Sequence, residues 1–285
     1  MLNVYFESDQ EVICFCESLF KKNKQIELNW KTDKDWGNHI QFNYKNADNR
    51  TLEVVAQVMV TVFLTFRLPT LIKKVIQEYY FYSNMYEIER ISDITYGSLT
   101  GEDLDCPKVI IQNDDPERIL HSIFLTNLKA SSTIHFDSIV KFQLKPYKDK
   151  LVYYVGLAID EFKREEDHQT FVNMLREYIE HKKPKFKEIY LIQGEYFTFY
   201  KSNGKSFSSM ELRTIMREEP LYMVGLDNDE MNLAPLVAMA PELIHIYGDH
   251  PSEPKTLTVI NVFQERVRIY PSYEFPFSQK IERNE

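Results

Sequence analysis

From Lys187 to Tyr270 the chain switches between strand and helix patterns in an order that leaves few folds open. KEIYLIQ, GEYFTFY and KSNGKSF read as a meander of short strands, with Gly194–Glu195 and Asn203–Gly204 suited to the tight turns between them. Ser208-x-x-Glu211 then has the form of a capping box that opens a helix. NLAPLVAMAPELIHIYG and EPKTLTVINVFQERVRIY follow as two helix–strand units, whose strands fall at Leu243–Tyr247 and Val267–Tyr270. Such an order predicts a C-terminal α/β unit built from a β-meander and two helix–strand units.

The N-terminal half carries different patterns. Leu2, Val4 and Phe6 alternate like a half-buried strand, and Ser8-x-x-Glu11 predicts a helix running to about Lys22. Its core face takes Val12, Cys16, Leu19 and Phe20. QIELNWK and HIQFNYK, parted by the turn-rich TDKDWGN, read as extended, so a small sheet carrying one helix is expected. TLEVVAQVMVTVFLTF is apolar nearly all round, the mark of a central buried helix, and Pro69 is expected to punctuate it. LIKKVIQEYYFYSNMYEIERI resumes helical spacing, and Asp115–Pro116 starts a helix whose buried face holds Ile119, Leu120, Ile123 and Phe124. Further on, Pro146 is expected to end or kink a helix through FDSIVKFQL. Separate helices then follow over Tyr147–Phe162 and Phe171–Ile179. The whole reads as a mixed α+β fold: a small N-terminal sheet with a helix, a central helical region and the C-terminal α/β unit. The domains are 1–130 and 131–285, with a single compact unit as the alternative.

Composition narrows the function classes. With 44% apolar and 14% aromatic residues, 285 residues bury a substantial core. Basic and acidic residues number 14 and 19 before residue 131, then 20 and 24 after it, so neither half is a basic module. Nucleic-acid binding, which draws its affinity from phosphate neutralisation, is disfavoured. Cys14, Cys16 and Cys106 cannot all pair internally and read as buried thiols. The start MLNVYFESDQE shows no secretory signal. The longest uncharged apolar stretch, Val54 to Phe66, falls short of a bilayer span. A cytoplasmic protein with no membrane partner is expected.

Three runs, AIDEFKREEDHQTFVNMLREYIEHKKPK, IYLIQGEYFTFYKSNGK and LAPLVAMAPELIHIYGDHP, resemble the YtxC-like sporulation proteins of endospore-forming bacteria. The resemblance covers roughly residues 136 to 270; ahead of that only the order of elements agrees. It implies a cytoplasmic protein linked to sporulation and carries over no catalytic or binding residues.

The residues themselves hold little recognisable chemistry. Eight glycines include no G-x-G-x-x-G and no G-x-x-x-x-G-K-[ST], and Gly97 with Gly101 reads as a loop or cap. No G-x-S-x-G elbow and no H-E-x-x-H is present. The densest polar cluster is His245, Asp249 and His250 in HIYGDHPSEP, at a strand end where α/β sites often lie. Those three are weak candidates for zinc or iron, set against a solvated turn. The acids Asp160, Glu161, Glu165, Glu166 and Asp167 read as a solvated junction between two helices. Lys182, Lys183, Lys185 and Lys187 read as a helix C-terminus rather than a binding patch. The aromatic tail PSYEFPFS either docks on its own domain or offers anchors to another protein, and docking is preferred. No catalytic residue and no cofactor is assigned. The expected function is a non-enzymatic interaction or regulatory protein with a protein partner still to be identified. The alternative is a metal-dependent enzyme or ligand sensor that uses the Asp249–His250 loop.

Overall fold

The computed structural model describes residues 2–22, 27–33, 37–42, 49–101, 116–131, 133–227 and 229–277. The chain divides into two compact units, Met1–Lys163 and Arg164–Glu285. The fold is α+β, with one four-stranded mixed sheet in each unit.

In the first unit β1 (Leu2–Phe6) leads into α1 (Asp9–Lys22), followed by the hairpin β2 (Leu28–Asp33) and β3 (Gly37–Phe42). Leu2, Val4 and Phe6 are buried and alternate with half-buried neighbours, as the period-2 pattern requires. Gly37 sits at φ +72°, and a Cβ there would lie 2.6 Å from the Phe6 carbonyl oxygen, so the hairpin closes on β1 only with glycine. Asn38, 1% exposed, ties the sheet to α1: its amide nitrogen donates to Asp9 Oδ1 at 2.7 Å. Its amide oxygen accepts from Trp30 Nε1 and Thr32 Oγ1, both at 3.0 Å.

The helices α2 (Asn49–Val62), α3 (Leu68–Tyr80), α4 (Met85–Thr100) and α5 (Pro116–Ala130) supply most of the core. Val55, Ala56, Val58, Met59, Val60 and Val62 of α2 are all buried, and α2 packs on α1 and α5. Between α2 and α3 the helix is not broken, as expected at Pro69, but widens into one π-turn, Phe63–Arg67. The uninterrupted stretch Arg50–Tyr80 is thus long and apolar enough to cross a membrane by length and composition. Half of its most apolar window is buried inside the unit, as in a core helix. Asp115, the expected N-cap of α5, lies outside the described residues.

A short strand, β4 (Thr133–His135), pairs parallel to β1 and gives the sheet order β2-β3-β1-β4. α6 (Phe136–Phe142) follows at once, packed near β1. The break expected near residue 130 therefore falls inside the first unit, because β4 belongs to the N-terminal sheet. α7 (Lys145–Glu180) is one helix of 36 residues, where two had been expected. Pro146 lies in its first turn, where the missing N–H leaves no hydrogen bond unmade.

The second unit is the expected α/β unit. β5 (Glu188–Ile192) and β6 (Thr198–Lys201) form the antiparallel pair, and the third meander strand shrinks to a bridge between Tyr200 and Ser206. α8 (Ser209–Arg217) begins on the Ser208–Glu211 capping box, present in both directions. α9 (Ala234–Met239) precedes β7 (Leu243–Tyr247), and α10 (Pro254–Phe263) precedes β8 (Val267–Tyr270). Parallel pairing of β5 with β7 and of β7 with β8 completes the order β6-β5-β7-β8. One sheet face, with Ile189, Leu191, Ile244 and Ile246, is fully buried in the core with the helices. The other carries Tyr190, His245, Tyr247 and Tyr270, stacked in a row.

Candidate functional site

The π-turn aims one charged side chain. Pro69 has no N–H to donate and its ring crowds the carbonyl four residues back. A π-turn relieves that strain by shifting the hydrogen-bond register, and Leu68 N–H bonds to the Phe63 carbonyl, an i to i+5 link. Arg67, the last residue of the turn, reaches across to α1 and α6. Its Nε and Nη2 donate to the two oxygens of Glu11, the Nη2 bond being 2.9 Å, and Nη2 also donates to Asp137 Oδ1. Asp137 Oδ2 in turn accepts the Glu7 backbone N–H at 3.1 Å.

This cluster is built for order. Glu11 is only 2% exposed, so its charge is tolerable only because Arg67 meets both oxygens in a bidentate pair. The pairing with Glu11 holds the Arg67 pKa above its ordinary value against the cost of burial, with Asp137 and Glu7 adding to it. Arg67 Nη1 has no protein partner among the described residues, and the side chain is 33% exposed.

Around the cluster lies a cleft of about 600 Å³, within the size range of small-molecule sites. Its apolar lining includes Phe63, Phe66, Leu71 and Val140, and its basic lining adds Lys74, Lys141 and Lys148 to Arg67. Sequence reading missed this site for two reasons. Glu11 looked like a helix cap, and Arg67 falls just past the apolar run, ahead of the Pro69 expected to punctuate it. The one available signal was a lone arginine two residues before a proline within a helical pattern.

The residues singled out from sequence lie elsewhere and are engaged in structure. His245, on β7, is stacked between Tyr190 at 4.6 Å and Tyr270 at 5.7 Å between ring centroids. Both its ring nitrogens are buried without a hydrogen-bond partner, and burial holds its pKa below the ordinary imidazole value, against the pull of Glu188. Asp249 accepts the Ser272 backbone N–H at 3.1 Å and its hydroxyl at 2.7 Å, which keeps its pKa below the usual carboxylate range. His250 is exposed, and its backbone is pinned on both sides by Gln193, which donates to its carbonyl and accepts its N–H. The loop therefore does not turn Asp249 and the two histidines toward a common point. Among the described residues no three His, Cys, Asp or Glu side chains gather as a metal site needs.

Asp249 instead clasps the aromatic tail. Phe275, 6% exposed, packs edge-on against Tyr200 and Tyr247, with centroids at 5.0 and 5.3 Å. Phe277 packs on Tyr190 and lies over Gly204, the positive-φ residue of the Asn203–Gly204 turn. Up to Phe277 the tail docks on its own unit.

Two lysines of the basic run are likewise paired at home. Lys182 pairs with Glu219 at 2.7 Å, and Lys185 pairs with Glu218 at 3.0 Å and Glu219 at 2.8 Å. Asp160, Glu166 and Asp167 are exposed along α7, which runs straight through the expected junction. Gly101 caps α4 at φ +70°, its N–H bonded to Gly97. Cys14 and Cys16 are free and half-buried, and burial raises the Cys16 thiol to about 11. Cys106 lies outside the described residues.

The fold and its cleft define a class: a mixed α+β protein whose first unit holds an arginine-centred cleft and whose second is an α/β unit. The family model of the YtxC-like family matches residues 53–268, and the chain belongs to that family. It is also similar to the "Uncharacterized protein YtxC" of Bacillus subtilis (strain 168), 25% identical over 279 residues, which cover 96% of each chain. No solved structure matches the chain.

Proposed function

We propose that this protein is a non-enzymatic regulatory protein of the sporulating cell's cytoplasm that responds to a ligand held in the Arg67 cleft. The supporting observation is the part-buried Glu11–Arg67–Asp137 cluster, set on a π-turn at the edge of that cleft. π-turns are costly and recur at functional sites, and a part-buried charge cluster on one is a device for fixing direction. The lining residues include no histidine or cysteine, and the Glu11 and Asp137 carboxylates are held by Arg67, which favours binding over catalysis. The metal-dependent reading of the Asp249–His250 loop draws less support, because both Asp249 oxygens serve Ser272. The sporulation setting rests on what the resemblance of the sequence to the YtxC-like family implies.

The test uses small-molecule fractions from sporulating cells, scored for a rise in melting temperature of the purified protein. At least one fraction should stabilise the wild type and not Thr70→Trp, whose indole fills the cleft from the exposed side of α3. A complete set of inert fractions, or equal stabilisation of both proteins, would remove the cleft reading. Deleting the gene in an endospore-forming host should lower the yield of heat-resistant spores, and an unchanged yield would remove the sporulation setting.

A further inference from the structure

The distribution of charge along the cleft is uneven. Arg67 at the end of the π-turn and Thr70, Leu71 and Lys74 of α3 line it, at spacings of three, four and seven from the arginine. α6 contributes Asp137, Val140 and Lys141 in the same way. Each helix thus leads from the Arg67–Asp137 pair, past an apolar side chain, to a lysine. At a rise of about 1.5 Å per residue, Lys74 stands about 10 Å along α3 from Arg67. Lys148, at the start of α7, adds a third ammonium to the lining.

The two kinds of base differ in what remains open. Arg67 is neutralised by Glu11 and Asp137 and offers only the Nη1 hydrogens, enough for a neutral oxygen acceptor. Of the lysines, Lys74 makes one exposed pair with Glu78 at 3.7 Å, a contact of little energetic weight. Lys141 lies over the Phe142 ring at 5.6 Å, and Lys148 has no ion pair among the described residues. Glu11 and Asp137 are taken up by Arg67, so the lining sets three ammonium groups against the one carboxylate of Glu7. That excess favours a doubly charged headgroup over a single carboxylate, and a lysine meets a phosphate as a point charge. Leu71, Val140, Phe66 and Phe63 then call for an apolar body.

We infer, building on the cleft reading above, that the ligand is a phosphate monoester on an apolar chain, its phosphate at Lys74, Lys141 and Lys148 and its body along Leu71 and Val140. Calorimetry with octyl phosphate, octanol, octanoate and inorganic phosphate tests this, each kept below the concentration at which micelles form. Octyl phosphate should bind one per chain, at least tenfold tighter than each of the other three. The Lys141→Ala/Lys148→Ala variant should lose at least tenfold in that affinity while keeping the wild-type melting temperature. Sedimentation with vesicles containing phosphatidic acid separates the sources: lysine-dependent co-sedimentation assigns a membrane headgroup, and its absence beside tight octyl phosphate binding assigns a free ester. Octanoate or octanol binding as tightly as octyl phosphate would overturn the inference, as would binding indifferent to the lysine variant. If none of the four binds and Thr70→Trp still abolishes stabilisation by a cell fraction, the ligand class is wrong and the cleft stands. Loss of both results removes the cleft as well.

Discussion

The same four-residue pattern, Ser-x-x-Glu, opens a helix in each unit and ends in two different places. In the second unit Glu211 turns back on its own helix: it accepts the Ser208 N–H at 2.8 Å, Ser208 Oγ accepts the Glu211 N–H at 3.2 Å, and Lys201 pairs with the carboxylate at 2.8 Å. In the first unit Glu11 gives both oxygens to Arg67, a residue 56 positions away. A local motif sets what a carboxylate can do; a distant charge decides what it does. Where no arginine competes the motif closes locally. Where one does, the helix start becomes one wall of a cleft.

Four experiments sharpen or break that contrast. Deleting residues 271–285 should cost the second unit about 3–5 kcal/mol, the scale for losing a buried phenylalanine. Phe275 is buried and Asp249 loses its partner Ser272. An unchanged urea midpoint would show that the Asp249 loop is not a structural clasp. Glu11→Ala should cost the first unit about 2–4 kcal/mol, the low side of the range for breaking a buried pair because Arg67 is one-third exposed. Glu11→Ala/Arg67→Leu should recover part of that loss, and a double variant no more stable than the single would deny the coupling. Gly37→Ala should cost about 2 kcal/mol, from a positive φ and a backbone contact at 2.6 Å, and stability within error of wild type would refute the tight hairpin closure.

The smallest effect concerns pH. Hydrogen bonds from Lys201 and Ser208 hold Glu211 at about 2, below the ordinary carboxylate value. A depressed folded-state pKa gives stability that is present above the unfolded value and lost as pH falls toward about 2. A carboxyl titration followed by NMR should place the Glu211 midpoint near 2 in the wild type and higher in Lys201→Ala. Equal midpoints would leave the capping box without its lysine.

Much of the fold was legible because it rests on short-range rules. The alternation at Leu2–Phe6, the turn at Asn203–Gly204 and the two helix–strand units are all local patterns, and each stands where expected. Pro69 and Pro146 misled because a proline's effect depends on position: Pro146 lies in a first turn, where its missing N–H costs nothing, and the π-turn ahead of Pro69 absorbs its clash. β4 was invisible because three residues carry no period, and only pairing with β1 makes them a strand. The cleft escaped for the same reason on a larger scale, since Glu11, Arg67 and Asp137 are distant in sequence and meet only in three dimensions. Conversely, HIYGDHP drew notice for its polar density, yet its groups serve Gln193, Ser272 and the aromatic row.

The π-turn at Phe63–Arg67 also acts as a spacer, because it holds one residue more than an α-turn would. Removing a single residue from it would close the turn to α geometry with α2 and α3 nearly in place, and would press the Pro69 ring on the carbonyl four residues back. Helix content, and so the far-ultraviolet dichroism, would hardly change, while the strain that the π-turn relieves at Pro69 would return. For this chain, a one-residue gap in an alignment at these positions is a more telling difference than many substitutions elsewhere.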